Sequence, residues 1–240
     1  SREGGFIRQV LPLTDDLDKV SEELFRLTTQ GGDEYCGWVI REAAGTLAWS
    51  PRNDDYKAIF IAGNEPFTQG NVDFRDSCRA AIAKGITVNT IHCGAAAEGE
   101  GTGWKEGALL ADGEHLNIDQ NMAVAQIETP MDREIARLGA ELNGTYITFG
   151  SRGEEGKLRQ AAQDANLQRA GPRSSAERVL AKGSFLYKNV SWDLVDAVQD
   201  GKVKLEELKE GDLPEEMRKM TLDERKAFLE VRLKERSRIQ

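Results

Sequence analysis

The chain is 240 residues long, enough for one large domain or for one domain with an appendage. Apolar residues make up 39% of it and charged residues 30%, and no apolar run approaches the length of a membrane span. The net charge of −9 argues against nucleic acid or an anionic membrane surface as the main partner, and it is compatible with a cation-binding face.

Strand and helix patterns alternate through the first 150 residues. Short apolar runs between turns predict strands, and apolar residues at helical spacing predict helices. The predicted strands are residues 6–13, 58–62, 86–91, 114–118 and 145–149. The predicted helices are one from the N-cap Thr14 to a stop at residues 30–32, and others at residues 34–44, 73–84, 104–111 and 132–142. This order predicts an α/β fold with a largely parallel sheet.

After Gly150 the pattern becomes helical and highly charged. The predicted helices are residues 157–168, one opened by the capping box Ser174–Glu177, residues 191–199, and one from the capping box Thr221–Glu224 toward Ile239. Brief turns are predicted at residues 205–209 and 214–220. The last helix has two interpretations: a solvated face of paired charges, or a docking helix that uses its leucines Leu222, Leu229 and Leu233. We therefore predict an α/β domain at residues 1–150 and a helical extension at residues 151–240.

Polar residues follow a predicted strand and open a predicted helix. Asn64 and Glu65 come directly after the buried strand 58–62, and ligands of α/β proteins bind at the carboxyl ends of strands. Asp33 and Glu34 lie where a glycine-rich loop enters a helix. The alternatives are an ordinary turn before Pro66 and charges that favour a helix N-terminus.

The three cysteines, Cys36, Cys78 and Cys93, form no C-x-x-C pair, which argues against a structural zinc site. Cys36 and Cys93 are predicted to approach each other at the same end of the sheet. They would be two buried thiols, or a disulfide, which would indicate an oxidising compartment. A third alternative is a catalytic thiol with His92, although neighbouring residues of a strand point to opposite faces.

Three segments together resemble a von Willebrand factor A domain: IFIAGNEP at residues 59–66, GGDEYCG at 31–37 and ITVNTIHCG at 86–94. The resemblance covers about residues 6–150. It is closest to bacterial A-domain proteins with an NTIHCG stretch and a downstream SWDLVDA segment, here residues 191–197. It implies a Rossmann-like sheet with helices on both faces and a Mg²⁺ site, the metal-ion-dependent adhesion site, built by three loops.

The chain departs from the family pattern in each of the three loops. The first motif, D-x-S-x-S, is absent; Asp33 stands where a threonine is usual, and Asn64 stands where an aspartate is usual, followed by Glu65. The replacements keep the oxygen ligands that Mg²⁺ prefers, so the resemblance implies Asp33, Asn64 and Glu65 as its ligands. The chain also starts at what resembles the third strand of the fold, so we expect an N-terminal segment or another polypeptide to supply the first strands.

The resemblance implies a non-enzymatic module that binds or scaffolds a protein partner. One alternative is a structural subunit that forms oligomers through its C-terminal helices without a working metal site. The other is a hydrolase. The sequence argues against a hydrolase, because it contains no G-x-S-x-G, P-loop or H-E-x-x-H motif and only two histidines. The bacterial resemblance and the Cys36–Cys93 alternative favour the periplasm or cell surface over the cytoplasm.

Overall fold

The structure, a computed structural model, describes residues 7–28, 32–119, 121–122 and 129–240. The chain divides into two compact units. The first unit comprises Ser1–Leu13 and Thr28–Val124, and the second comprises Thr14–Leu27 and Ala125–Gln240. This division differs from the boundary predicted at residue 150. Among the described residues, no helix is long and apolar enough to cross a membrane.

Helices dominate both units. In chain order they are α1 (Leu17–Phe25), α2 (Cys36–Thr46), α3 (Phe74–Ile82), α4 (Ala96–Gly101), α5 (Trp104–Leu110), α6 (Pro130–Asn143), α7 (Gly153–Ala170), α8 (Pro172–Lys182), α9 (Leu194–Gln199), α10 (Glu215–Arg218) and α11 (Leu222–Ile239). Two 3₁₀ turns cover Leu205–Glu207 and Glu210–Asp212. Among the described residues the strands are β1 (Lys57–Gly63), β2 (Ile86–His92) and β3 (His115–Asn117), all in the first unit.

The three strands form one parallel sheet in the order β1-β2-β3. The mixed α/β class with a parallel sheet is therefore confirmed. The strand predicted at residues 6–13 is wrong for residues 7–13, which have no strand structure, while Phe6 lies outside the described residues.

The strand predicted at residues 145–149 is also wrong. Within the part of the chain that the structure describes, the segment forms a single antiparallel bridge, between Thr148 and Asp193. The backbone N–H of Ile147 donates to the Asp193 carboxylate at 2.7 Å, and the carbonyl of Ile147 accepts from the N–H of Leu194 at 2.8 Å. The segment therefore satisfies its backbone through the SWDLVDA segment of the second unit, so it has no need of a sheet neighbour.

The described helices of the first unit cover one face of the sheet. The core of this unit joins α2, α3 and α5 to Ile61, Ile86 and Val88, whose side chains share a face of β1 and β2. On the opposite face, Phe60 remains 65% exposed. Helices on both faces, as the resemblance implied, are thus not seen among the described residues. The strand order runs in one direction, so successive right-handed crossovers lay their helices on the same side.

The second unit is helical, and its last helix is docked. Helix α11 begins at the predicted capping box Thr221–Glu224 and packs Leu229 into the core of its own unit, which favours the docking interpretation over a solvated helix. The capping box predicted at Ser174 is wrong, because α8 begins at Pro172 without a side-chain cap. Trp192 packs against Tyr146, with ring centroids 5.6 Å apart.

A buried charge cluster ties α11 to the rest of the second unit. The Arg236 guanidinium, 3% exposed, donates to Asp193 at 2.7 Å and to Asp196 at 2.6 Å. It also donates to the hydroxyl of Thr145 at 3.0 Å and to its carbonyl at 2.9 Å. Both carboxylates belong to the SWDLVDA segment, so the structure gives that segment a role in the packing of its own unit.

Candidate functional site at the carboxyl ends of the strands

The turn that follows β1 is held by the side chain of Glu34. One carboxylate oxygen of Glu34, Oε2, accepts from the backbone N–H of Asn64 at 3.0 Å and from that of Glu65 at 3.3 Å. Glu34 lies just before α2, and Asn64 is exposed at the carboxyl end of β1. A carboxylate that accepts two backbone N–H groups fixes the turn with charge-assisted hydrogen bonds.

Gly63 leaves the space that this carboxylate occupies. A Cβ atom at position 63 would lie 1.9 Å from Oε2 of Glu34, so any larger residue would displace the Glu34 side chain. The carbonyl of Gly63 accepts from the N–H of Cys93 at 2.7 Å, which links the end of β1 to the end of β2. The glycine of the AGN sequence is thus explained by close packing against Glu34.

Gln69 and Trp104 hold the same turn from two other directions. The amide oxygen of Gln69 accepts from the N–H of Glu34 at 2.6 Å, and its amide nitrogen donates to Oε2 of Glu65 at 3.2 Å. The indole Nε1 of Trp104, which is fully buried, donates to the carbonyl of Glu65 at 2.9 Å. The turn is therefore a surface feature that several hydrogen bonds hold, and it combines carboxylate, amide and backbone groups.

The residues implied as Mg²⁺ ligands are engaged in other contacts. The Asp33 carboxylate accepts from the Tyr35 hydroxyl at 3.0 Å, and Glu34, the next residue, is the one that contacts the turn. The Asn64 side chain presents its NH₂ group to Oε1 of Glu65 at 3.4 Å, whereas a shared Mg²⁺ would require the amide oxygen on that side.

Within the described ranges, no group of three or more His, Cys, Asp or Glu residues is placed to hold a metal ion. Together with the contacts of Asp33, Asn64 and Glu65, this arrangement does not fit a preformed Mg²⁺ site. The assignment of these three residues as metal ligands stays a prediction.

No disulfide joins Cys36 and Cys93, although both lie among the described residues. Burial raises the pKa of the Cys36 thiol to about 12, and the Glu34 carboxylate adds to the effect. Burial, followed by the same carboxylate, also raises the pKa of Cys93. A raised pKa disfavours the thiolate, so the structure favours two partly or fully buried thiols over a disulfide or a nucleophile.

Both histidines belong to a polar layer beneath α4 and α5. His92 is fully buried, and its Nδ1 lies 3.0 Å from Oδ1 of Asn117, whose NH₂ group donates to the carbonyl of Gly94. Thr90 donates to the carbonyl of Trp104 and therefore accepts from Nδ1 of His115, at 2.9 Å. Both Nδ1 atoms thus carry the proton, and the two buried Nε2 atoms have no hydrogen-bond partner within the described part of the chain.

The layer leaves little for acid–base catalysis. Desolvation, followed by the charge interaction with His92, lowers the pKa of His115. Neither ring nitrogen of His115 is available at the surface, because Nδ1 is bonded to Thr90 and Nε2 is buried. A general base must reach the proton that it removes, and His92 has no exposed surface.

Comparison with protein-family models, with curated proteins and with solved structures gave no match to this chain. The site therefore has to be interpreted from its own geometry. The sequence predicts a site at Asn64 and Glu65, but it points to Asp33 where the structure uses Glu34, and it does not mark Gln69. The available signal was Gly63, which indicates close approach of another group.

Proposed function

We propose that the first unit is a non-enzymatic module of the von Willebrand factor A type that binds a protein partner through the turn at residues 63–69. The observation that carries this proposal is the Glu34 carboxylate, which holds the backbone of Asn64 and Glu65 in one conformation. A contact surface that is ordered before binding loses less conformational entropy when the partner arrives.

Two features support a relation to the A-domain fold. The strands are parallel and connected through helices, and the turn lies at their carboxyl ends, where α/β proteins bind ligands. The segments that carry the resemblance, GGDEYCG and IFIAGNEP, are brought together by the hydrogen bonds of Glu34 and Gln69.

The chemistry of the site favours binding over catalysis. The His92 imidazole is buried, the His115 imidazole is partly buried with its Nε2 enclosed, and the nearest thiol, Cys93, has a raised pKa. The polar atoms at the surface are carboxylates and amides that already hydrogen bond to each other. Such a set suits hydrogen bonding to a protein surface, and in this proposal Glu34 fixes the turn without a metal ion.

The alternative of a structural subunit that assembles through its C-terminal helices has less support. Leu229 and Leu233, the leucines expected to drive such assembly, pack against the core of their own unit.

The proposal is tested by site-specific photo-crosslinking in an extract of the source organism. A benzophenone amino acid at position 64 is expected to crosslink to a discrete protein, and the crosslink should disappear when Glu34→Ala loosens the turn. The matched control is the same probe at Asp76, an exposed acidic position on α3 of the same unit. Identical crosslinking at positions 64 and 76, or crosslinking unaffected by Glu34→Ala, would contradict the proposal.

A further inference from the structure

The loops at the carboxyl ends of the strands are acidic. These loops, which we call the acidic edge, are residues 32–35, 63–73, 93–103 and 117–119. They contain no lysine or arginine, and they carry seven carboxylates: Asp33, Glu34, Glu65, Asp73, Glu98, Glu100 and Asp119. Lys57 and Lys84, in contrast, lie at the amino ends of β1 and β2. The first unit therefore carries negative charge on the side of the turn at residues 63–69.

Most of these carboxylates are not neutralised by a neighbouring cation. Asp73 lies 3.8 Å from the guanidinium of Arg75, and Glu100 lies 2.8 Å from the ammonium group of Lys105. Within the described ranges, the other five acidic residues of the edge form no ion pair with a lysine or arginine. Surface charge of one sign attracts a partner of opposite sign and repels one of the same sign.

The hydrogen-bond donors of the turn are already in use. The N–H groups of Asn64 and Glu65 donate to Glu34, and the amide nitrogen of Gln69 donates to Glu65. An ionised carboxylate only accepts hydrogen bonds, and it has more acceptor sites than these contacts fill. A partner that binds here therefore has to supply the donors.

A buried acceptor lies at the same edge, where β2 ends. His92 has no exposed surface, its Nδ1 carries the proton, and its Nε2 has no hydrogen-bond partner among the described residues. A Cβ atom at Gly94 would lie 3.3 Å from this Nε2 and 3.6 Å from Oε2 of Glu98. The position without a side chain is thus flanked by an imidazole acceptor and a carboxylate. An unsatisfied buried acceptor beside a carboxylate favours a ligand that donates hydrogen bonds and carries positive charge.

We propose that the partner bound at residues 63–69 presents a lysine- or arginine-rich segment to the acidic edge. Ammonium and guanidinium groups carry positive charge and only donors, so they complement both the unpaired carboxylates and the unused acceptors. An acidic partner would be repelled here unless a divalent cation lay between the two surfaces. The basic segment belongs to the partner of the function proposed above, and it therefore rests on that proposal.

Titration of the isotope-labelled full chain with a short peptide of alternating lysine and glycine tests this inference, with the amide shifts of Asn64 and Glu65 as the readout. We expect saturable shifts with the lysine peptide, none with the corresponding glutamate peptide, and weaker binding at higher salt. The double variant Asp33→Asn with Glu98→Gln is expected to raise the dissociation constant about tenfold, because each exposed ion pair contributes about a factor of three. Both substitutions keep the size of the side chain and leave Glu34 in place.

The matched control removes the same charge at the amino end of β1. Asp54→Asn with Asp55→Asn neutralises two carboxylates whose side chains are 69% and 43% exposed, and it should change the dissociation constant by less than about twofold. Equal weakening by the two double variants would show attraction to the net charge of −9 alone and would overturn the inference. Amides that stay unshifted at millimolar lysine peptide, or that shift with the glutamate peptide in Mg²⁺, would overturn it as well.

The photo-crosslink at position 64 separates this inference from the proposed function. If a discrete protein crosslinks there and the glutamate peptide competes with it while the lysine peptide does not, the basic segment is wrong and the contact turn stands. If the lysine peptide binds the acidic edge but no discrete protein crosslinks, the charge preference stands and the proposed function is wrong.

Discussion

Replacing Arg236 with methionine is expected to lower the free energy of unfolding of the second unit by about 3–5 kcal/mol. The change keeps an unbranched side chain but leaves the carboxylates of Asp193 and Asp196 buried without their cation. Loss of one partner from a buried ion cluster costs much more than the cluster's net contribution to stability, because the remaining charges stay out of water. The Arg236 guanidinium also lies 4.2 Å from the centroid of the Tyr146 ring, a contact that the substitution removes.

This effect on the second unit is measured by urea unfolding, with amide exchange in α9 as the readout. Arg238→Met is the matched control, because Arg238 is two residues away, its side chain is 71% exposed and it contacts Glu141 only at 3.4 Å. An exposed ion pair of this kind contributes less than about 1 kcal/mol. If Arg236→Met were as mild as Arg238→Met, the cluster would not hold α11 as described.

Replacing Trp104 with alanine is expected to lower the free energy of unfolding of the first unit by about 3–5 kcal/mol. The Trp104 side chain is fully buried, with its ring centroid 4.7 Å from that of Phe67. The substitution creates a cavity in the core and also removes the hydrogen bond to the carbonyl of Glu65.

Exchange of the β2 amides reports the stability of this unit. Leu109→Ala, on the same helix but exposed, should change it by no more than about 0.5 kcal/mol. Trp104→Phe separates the two contributions, since it keeps much of the apolar volume and loses the donor to Glu65. If Trp104→Ala left the stability of the first unit unchanged, Trp104 would not be a central residue of its core.

The three strands of the sheet were predictable because each is a local signal. Residues 58–62 and 86–91 are apolar runs between turns, and the structure extends them only to Lys57–Gly63 and Ile86–His92. The segment 145–149 has an equally apolar pattern, but its backbone partners lie more than 40 residues further along the chain. No local pattern encodes a contact of that kind.

The helix α4 was missed for a related reason. Its sequence, Ala-Ala-Glu-Gly-Glu-Gly, favours a loop, because glycine is a poor helix former. A Cβ at Gly99 would lie 2.7 Å from the ring of His92, so the glycine is needed where α4 passes over that buried side chain. Close packing against the sheet therefore explains why Gly99 lies in this helix, although glycine is a poor helix former.

The candidate site shows the same division between local and tertiary information. Asn64 and Glu65 could be predicted as site residues because they follow a buried strand, and the carboxyl end of such a strand is where α/β proteins bind ligands. Glu34 could not be distinguished from Asp33, since both precede the same helix and only the fold shows which carboxylate reaches the turn. The proposed metal-free arrangement of the turn depends on Glu34, and not Asp33, being the carboxylate that reaches it.

Amide hydrogen exchange at Asn64 and Glu65 is the most direct measurement of the central claim, that Glu34 holds the proposed contact turn. We expect slow exchange of both amides that is the same in millimolar Mg²⁺ and in chelator, and much faster exchange in Glu34→Ala. The variant Asp33→Ala, one residue away, should leave both amides protected. Exchange that slows only when Mg²⁺ is added would favour a metal-dependent turn, and exchange that is unaffected by Glu34→Ala would show that Glu34 does not hold the turn.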